Sequence, residues 1–237
     1  LLAEKDVGKL EGWFRGVASA FPIVVGYIPI GVAFGVLAIK AGLSPANTMF
    51  LSLIVYAGSS QLIAVGLFEV QAPAIAIILT TFVVNLRHML MSAAISTYLG
   101  KWKKSEIAAF AFQLTDETFA VLSVKFKAGL RPKSEVFGLN VTTQLGWLLG
   151  TWIGLSAGQL VGDAEALALD YALPAMFLAL LVLQIENLLH IGIAILAGFL
   201  SVVFLTGGVG QWNVILAALS GATVGVIIEQ WMKKQSS

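Results

Sequence analysis

In the apolar run TTFVVNLRHMLMS, residues 80–92, Asn85, Arg87 and His88 stand where a membrane span would place only hydrocarbon side chains. An ionisable group at that depth must find a partner or line water, so its default reading is functional. Four interruptions of this kind occur: AGSSQ at 57–61, NLRH at 85–88, LTDET at 114–118 and QIEN at 184–187. Asp116 and Glu117 are adjacent acids in mid-segment with nothing local to neutralise them, and Arg87 is the other clearly intramembrane charge. If 106–124 is one helix, Gln113, Asp116 and Glu117 share a face at i, i+3 and i+4. Two chemistries follow. Arg87 either ties helix register through one of these acids, or it, or a nearby helix N-terminus, takes the carboxylate of a small substrate. In the second case Asp116 or Glu117 meets an ammonium group or a proton.

Helical geometry constrains the opening stretch further. At about 100° per residue, Thr81, Asn85, His88, Ser92 and Ser96 fall within about 80° of one another, and Arg87 points almost oppositely. A regular helix cannot aim both His88 and Arg87 into one cavity. Either Arg87 meets a carboxylate from another helix, or the helix breaks near Asn85. AGSSQ reads either as unwound backbone of the kind that binds substrates in transporters, or as a small-residue helix contact. In the first case Ser59, Ser60 and Gln61 join Asn85 and Arg87 as candidate substrate ligands. His88 titrates near neutral pH when unperturbed, so it, Asp116 and Glu117 are the candidate proton carriers. Glu186 and His190 fall in a turn between two spans and read as interfacial.

The elements that must position these groups are helices in a bilayer. Hydrophobic residues make up 58% of the 237 positions and charged residues 11%, less than half the roughly 25% usual in a soluble domain. Apolar segments run at about 16–39, 47–68, 72–98, 106–124, 135–161, 169–186, 188–206 and 212–231. The fold class is therefore an all-α polytopic membrane protein of about seven or eight spans, some interrupted at membrane depth. Residues 1–15 read as a cytoplasmic amphipathic tail, 16–232 as one transmembrane transport domain and 233–237 as a second cytoplasmic tail. Trp13, Trp102, Trp212 and Trp231 fall at span ends, and Pro22 and Pro29 can kink the first span.

Basic residues near 5–15, 125–133 and 233–234 place those loops inside, and the acidic loop 162–170 (Asp163, Glu165, Asp170) outside. Lys101, Lys103 and Lys104 then conflict with the rule if three spans precede them. Either the rule is broken once, or 106–124 re-enters without crossing; the full crossing, giving eight spans, is the preferred expectation. In GWLLGTWIGLSAGQLVG, Gly146, Gly150, Gly154, Gly158 and Gly162 form a stripe at a spacing of four, expected to be a helix-packing surface. Gly31/Gly35 and Gly221/Gly225 repeat the pattern.

Five segments in order, FPIVVGYIPIGVAFGVLAIKAGLSPANT, SLIVYAGSSQ, TTFVVNLRHMLMSAA, LTDETFAV and LDYALPAMFLALLVLQ, resemble the AzlC family, the large subunit of bacterial branched-chain amino-acid exporters. The resemblance covers about residues 12–232. It implies a multi-pass protein of the cytoplasmic membrane that exports valine, leucine and isoleucine, with methionine at the edge of the range. It also implies use of the proton gradient and a small hydrophobic AzlD-like partner subunit. The family's characteristic polar residues fall on Gln61, Asn85, Arg87, His88, Asp116 and Glu117. The loop QIENLLH departs from the often basic family loop at that place.

Other classes fit less well. With two His, no Cys and no HExxH or Walker A pattern, no catalytic residues, metal ligands or cofactor are expected. Nothing indicates nucleic-acid binding. A channel, or a membrane scaffold for a partner protein, is the alternative; the paired acids and the polar stripe weigh against a pure scaffold.

Overall fold

The computed structural model describes residues 2–129, 132–158, 187–209 and 213–235, with isolated positions between 171 and 185. Arg131, Asp163, Glu165, Asp170, Gly162, Gln184, Glu186 and Trp212, and most of the expected span 169–186, lie outside the described residues. Among the described residues every regular element is a helix. Contacts divide the chain into two compact units, Leu1–Met176 and Phe177–Ser237.

The first unit is built on two long helices, α1 (Leu2–Lys40) and α7 (Lys133–Gly158). α1 carries the amphipathic N-terminal stretch and the first apolar segment in one helix, with Pro22 and Pro29 inside it. The two helices run parallel in a fixed register. Val24 meets Gly146, Ile28 meets Gly150, Val32 meets Gly154 and Val36 meets Gly158, while Gly31 and Gly35 face α7 in return. The glycine row is thus a packing surface that brings two backbones together, because no side chain intervenes. A Cβ at Gly150 would lie 2.6 Å from the Ile28 carbonyl oxygen, and backbone cannot step aside.

Two further segments, both expected to cross, instead enter and return. The first leaves the C-terminal end of α1 as α2 (Pro45–Phe50), capped by Ser44, and widens into a π-helical stretch at Leu51–Val55. It breaks at Tyr56 and Ala57, then resumes as α3 (Gly58–Glu69). Ala41, Phe68, Glu69, Gln71 and Ala72 line one surface pocket, so α3 ends where α2 began. With 12 residues, α3 is about 18 Å long, little more than half the hydrocarbon thickness.

The second hairpin follows α4 (Ala74–Ser96) and enters from the opposite end. It consists of α5 (Lys104–Phe112), a break at Gln113–Thr115, and α6 (Asp116–Lys127). Its two feet meet the same end of the α1/α7 pair. Glu106 at the start of α5 is ion-paired to Lys133, and Lys125 near the end of α6 is ion-paired to Glu135 and donates to Ser19 Oγ at 2.8 Å. Phe110 and Phe126 pack against each other with ring centroids 6.4 Å apart, closing the hairpin.

This corrects the expected full crossing of 47–68 and of 106–124, and the helical face shared by Gln113, Asp116 and Glu117. α1 crosses once and α4 returns, which puts Lys101, Lys103 and Lys104 at the same end as Lys125, Lys127 and Lys133. The conflict with the distribution of basic residues disappears without an exception.

In the second unit α8 (Leu188–Thr206), capped by Asn187, packs antiparallel on α9 (Asn213–Gln235). Gly221 and Gly225 face Ala197 and Ile193 there. Among the described residues, Gly8–Lys40, Ala74–Ser96 and Leu188–Thr206 are long and apolar enough to cross a membrane.

Two outcomes test this architecture. Gly150→Ala is expected to destabilise the chain by about 1–3 kcal/mol through overpacking. Gly26→Ala, with open space at its Cβ, should be neutral or mildly stabilising; thermal melts in detergent read both. The chain has no Cys, so single cysteines report sidedness. Ser105→Cys and Lys127→Cys should react with an impermeant thiol reagent from one face of the membrane and Val70→Cys from the other. Labelling of 105 and 127 from opposite faces would restore the full crossing.

Candidate functional site

The tips of the two hairpins meet near the middle of the α1/α7 pair, and each break is closed by side chains. At the first, Tyr56 adopts a left-handed conformation (φ 44°, ψ 45°), which costs a non-glycine residue about 1–2 kcal/mol. Its hydroxyl donates to Thr143 Oγ1 of α7 at 3.3 Å. Gln61 Oε1 accepts from the freed Ala57 N–H at 3.2 Å, and Ser60 Oγ donates to the Ala57 carbonyl at 2.9 Å. Gln61 Nε2 donates to Ser52 Oγ at 3.2 Å, and Ser52 stands 2.8 Å from Thr151 Oγ1 of α7. Thr151 spends its own proton on the Trp147 carbonyl at 3.0 Å, so Ser52 donates to it. Ser60 and Gln61 are therefore committed to holding the break open.

At the second break Thr115 and Thr118 cap α6 reciprocally. Thr115 N–H donates to Thr118 Oγ1 at 2.8 Å and Thr118 N–H to Thr115 Oγ1 at 3.3 Å. The three polar residues expected on one face diverge because the helix is broken between them. Gln113 Nε2 donates to Gln144 Oε1 of α7 at 2.8 Å, Asp116 turns to α4, and Glu117 turns to α1. Gln144 Nε2 also reaches the Leu53 carbonyl of the first hairpin at 3.3 Å, so one α7 side chain ties both tips.

Arg87 ties them a second time. α4 is unbroken through Asn85, so of the two alternatives for this helix the pairing with a carboxylate of another element is the one realised. Nη1 lies 2.7 Å from Asp116 Oδ2 and Nη2 donates to Ser59 Oγ, while Nε has no partner. Arg87 is thirteen residues from the start of α4 and nine from its end, which puts it about 14–20 Å from either surface. Ser59 and Asp116 are the second and first residues of α3 and α6, so two half-helix N-termini, each the positive end of its dipole, converge beside it. His88 has its Nδ1 3.2 Å from the Asn85 carbonyl, and Asn85 Oδ1 is buried without a partner.

Sequence reasoning missed the α7 side of the site. Asn140, Thr143, Gln144, Trp147 and Thr151 recur at helical spacing on the face turned to the hairpins, a signal masked by the more conspicuous glycines among them. Tyr27 was missed too. Its hydroxyl oxygen lies 2.6 Å from Glu117 Oε2 and 2.7 Å from Thr115 Oγ1. Asn140 is fully buried with both side-chain polar atoms unpartnered, and Trp147 Nε1 is unpartnered as well.

Residues 22–161 match the family model for the AzlC protein. The chain belongs to the AzlC family. The matched stretch contains both hairpin tips and every α1, α4 and α7 side chain named in this site. The chain is 32% identical to the Inner membrane protein YgaZ of Escherichia coli over 222 residues, covering 91% of this chain and 88% of that protein. An uncharacterized membrane protein of Archaeoglobus fulgidus is 35% identical over 209 residues, 87% of this chain and 91% of its own length. The Branched-chain amino acid transport protein AzlC of Bacillus subtilis is 25% identical over 172 residues, 70% of this chain and 66% of that protein. No solved structure matches the chain significantly. This is a membrane protein of the AzlC family, and its polar residues lie where two broken helices meet.

A buried amide with neither end bonded costs about 1–3 kcal/mol unless something occupies it. Asn140→Leu is therefore expected to leave the melting temperature unchanged or raised. Wild-type transport with Asn140→Leu would show that nothing transported uses the amide; transport lost from a stable variant would place Asn140 on the path.

Proposed function

We propose that this chain is a secondary transporter that exports aliphatic, branched-chain amino acids across the bacterial cytoplasmic membrane, coupled to protons and working with a small AzlD-like subunit. The observation that carries this reading is Arg87 at mid-depth, bonded at once to Asp116 and to Ser59 at the starts of two broken helices. A zwitterion needs an anion site and a cation site a few ångströms apart in a dry environment. Arg87 and the α3 N-terminus at Ser59 supply the first, and Asp116 supplies the second. Substrate enters between Arg87 and Asp116: its carboxylate replaces Asp116 on the guanidinium, and its ammonium takes the released acid. Asn85 Oδ1, buried and unpartnered, is a further acceptor for the ammonium. Ser60 and Gln61 contribute by holding the break that presents Ser59 to Arg87. His88, Asp116 and Glu117 are the titratable groups through which a proton can be exchanged.

The family supports transport, since the Bacillus subtilis relative is named for branched-chain amino acids. The basic end, with Lys101, Lys103, Lys104, Lys125, Lys127 and Lys133, faces the cytoplasm by the positive-inside rule. No part of this scheme requires the protein to be an enzyme.

The test loads vesicles with labelled valine or leucine, with the small subunit co-expressed and a pH gradient imposed. Gradient-driven efflux should fall by about tenfold or more in Arg87→Ala and Asp116→Asn, as expected when one partner of a buried, hydrogen-bonded charge is removed. Removing one partner also costs about 3–5 kcal/mol of stability. The neutral double variant Arg87→Gln with Asp116→Asn should insert normally and still fail to transport. Efflux surviving in Arg87→Ala would reduce Arg87 to a structural tie, and flux indifferent to the gradient in the wild type would indicate a channel.

A further inference from the structure

Glu117 is the acid of the site without a cation. Asp116 beside it is held by Arg87 Nη1 at 2.7 Å, whereas no ion pair reaches Glu117 among the described residues. Its partner is a phenol: Tyr27 Oη lies 2.6 Å from Oε2, and on its far side 2.7 Å from Thr115 Oγ1. Thr115 Oγ1 in turn stands 3.3 Å from Thr118 Oγ1.

We infer that Glu117 is the group that takes up and releases the coupling proton, with Tyr27 as its positioning residue, while Asp116 stays ionised and serves Arg87 and the substrate. The inference rests on the transport reading above and divides its titratable groups between two tasks.

The geometry supports the division because only one of the two acids is satisfied in both protonation states. Arginine is donor only, so a protonated Asp116 would leave the Arg87 charge without its counter-ion at membrane depth. A hydroxyl can donate or accept. With Glu117 ionised, Tyr27 donates its one proton to Oε2, and Thr115 Oγ1 donates to the Tyr27 oxygen. When Glu117 takes a proton from water, its own O–H donates to Tyr27 Oη. Tyr27 then turns its hydrogen bond to Thr115 Oγ1, and the Thr115 hydroxyl turns to donate to Thr118 Oγ1. One proton is added, no bond of the protein breaks, and every oxygen keeps a partner in both states. Glu117 is only half-buried, so water can reach it, while Tyr27 is buried and fixed edge-on against the Trp147 ring, centroids 5.6 Å apart.

Among the described residues, other titratable side chains at this level are few. α4 brings Arg87 and His88, the first hairpin brings Tyr56, α6 itself brings Asp116, and α7 faces the site with Thr143 and Gln144. His88 has its Nδ1 against the Asn85 carbonyl and no hydroxyl chain to reverse.

Infrared difference spectroscopy of the purified full chain in lipid, acid minus base, reads carboxyl protonation without any substrate. Of the protonated-carboxyl absorption that appears on acidification in the wild type, one component should be lost in Glu117→Gln, persist in Asp116→Asn and Glu117→Asp, and shift in Tyr27→Phe. In vesicles, whatever valine flux remains in Glu117→Gln should no longer respond to a pH gradient, whereas Tyr27→Phe should keep a response with a displaced pH profile. A difference spectrum that Glu117→Gln leaves unchanged, or a component lost in Asp116→Asn and kept in Glu117→Gln, would overturn the proposal. Wild-type vesicles that move no valine while the band belongs to Glu117 would refute the transport reading and leave the proton site standing.

Discussion

A helix broken in the middle of a bilayer frees amides and carbonyls that water cannot reach, and most of this fold is arranged to satisfy them. Each freed group costs several kcal/mol unless it is bonded. The first break, at Tyr56 and Ala57, uses Gln61, Ser60 and Ser52 from its own hairpin and Thr143 and Thr151 from α7. The second uses the Thr115/Thr118 cap and the Gln113–Gln144 bond. α7 thus serves both tips, which explains why a helix so polar on one face lies inside a membrane protein. Its opposite requirement is a dry, close contact with α1, and the glycines at 146, 150, 154 and 158 meet it. The two features depend on each other: without the glycine contact, α7 could not stand near enough to bond the tips.

The charges sort by depth according to the same constraint. At the basic end, Arg15 lies 3.7 Å from Glu135, and Lys125 and Lys133 pair with Glu135 and Glu106. These pairs are partly exposed, so their net worth is small; they fix where the feet of the second hairpin stand. Lys133 also lies 5.4 Å from the Trp102 ring centroid. At mid-depth Arg87 and Asp116 are placed very differently, with side chains only 27% and 20% exposed and no headgroups to screen them.

Much of the fold was legible because membrane helices advertise themselves by length and hydropathy. The segment expected at 188–206 is α8, that at 72–98 contains α4 and that at 135–161 overlaps most of α7. The hairpins were not legible, and for a physical reason. Residues 47–68 have the length and apolarity of a span, and the break inside them is imposed by Thr143, Gln144 and Thr151, roughly ninety residues away in sequence. Nothing local requires Tyr56 to be left-handed. For residues 106–124 the clue was present but indirect: three lysines on the wrong side are a statement about crossing parity, and two re-entrant hairpins satisfy it as no single correction could. The candidate site was half legible. Charges and the SSQ sequence stood out against hydrocarbon, whereas Tyr27 and the α7 stripe consist of residues that every apolar helix can carry.

Arg87 gives the site its capacity to couple the two hairpins. Its guanidinium bonds Asp116 of one and Ser59 of the other, and Gln144 repeats the tie from α7. An arginine in this position cannot be neutralised by losing its proton, so it must always hold an anion. In the proposed scheme, a ligand carboxylate that competes with Asp116 keeps the guanidinium paired while the second hairpin loses its bond to α4. Binding can shift the balance between hairpin positions only by as much as the ligand prefers one of them. A carboxylate in direct contact with Arg87 has that preference built in, because the bond it makes is the bond the hairpin gives up.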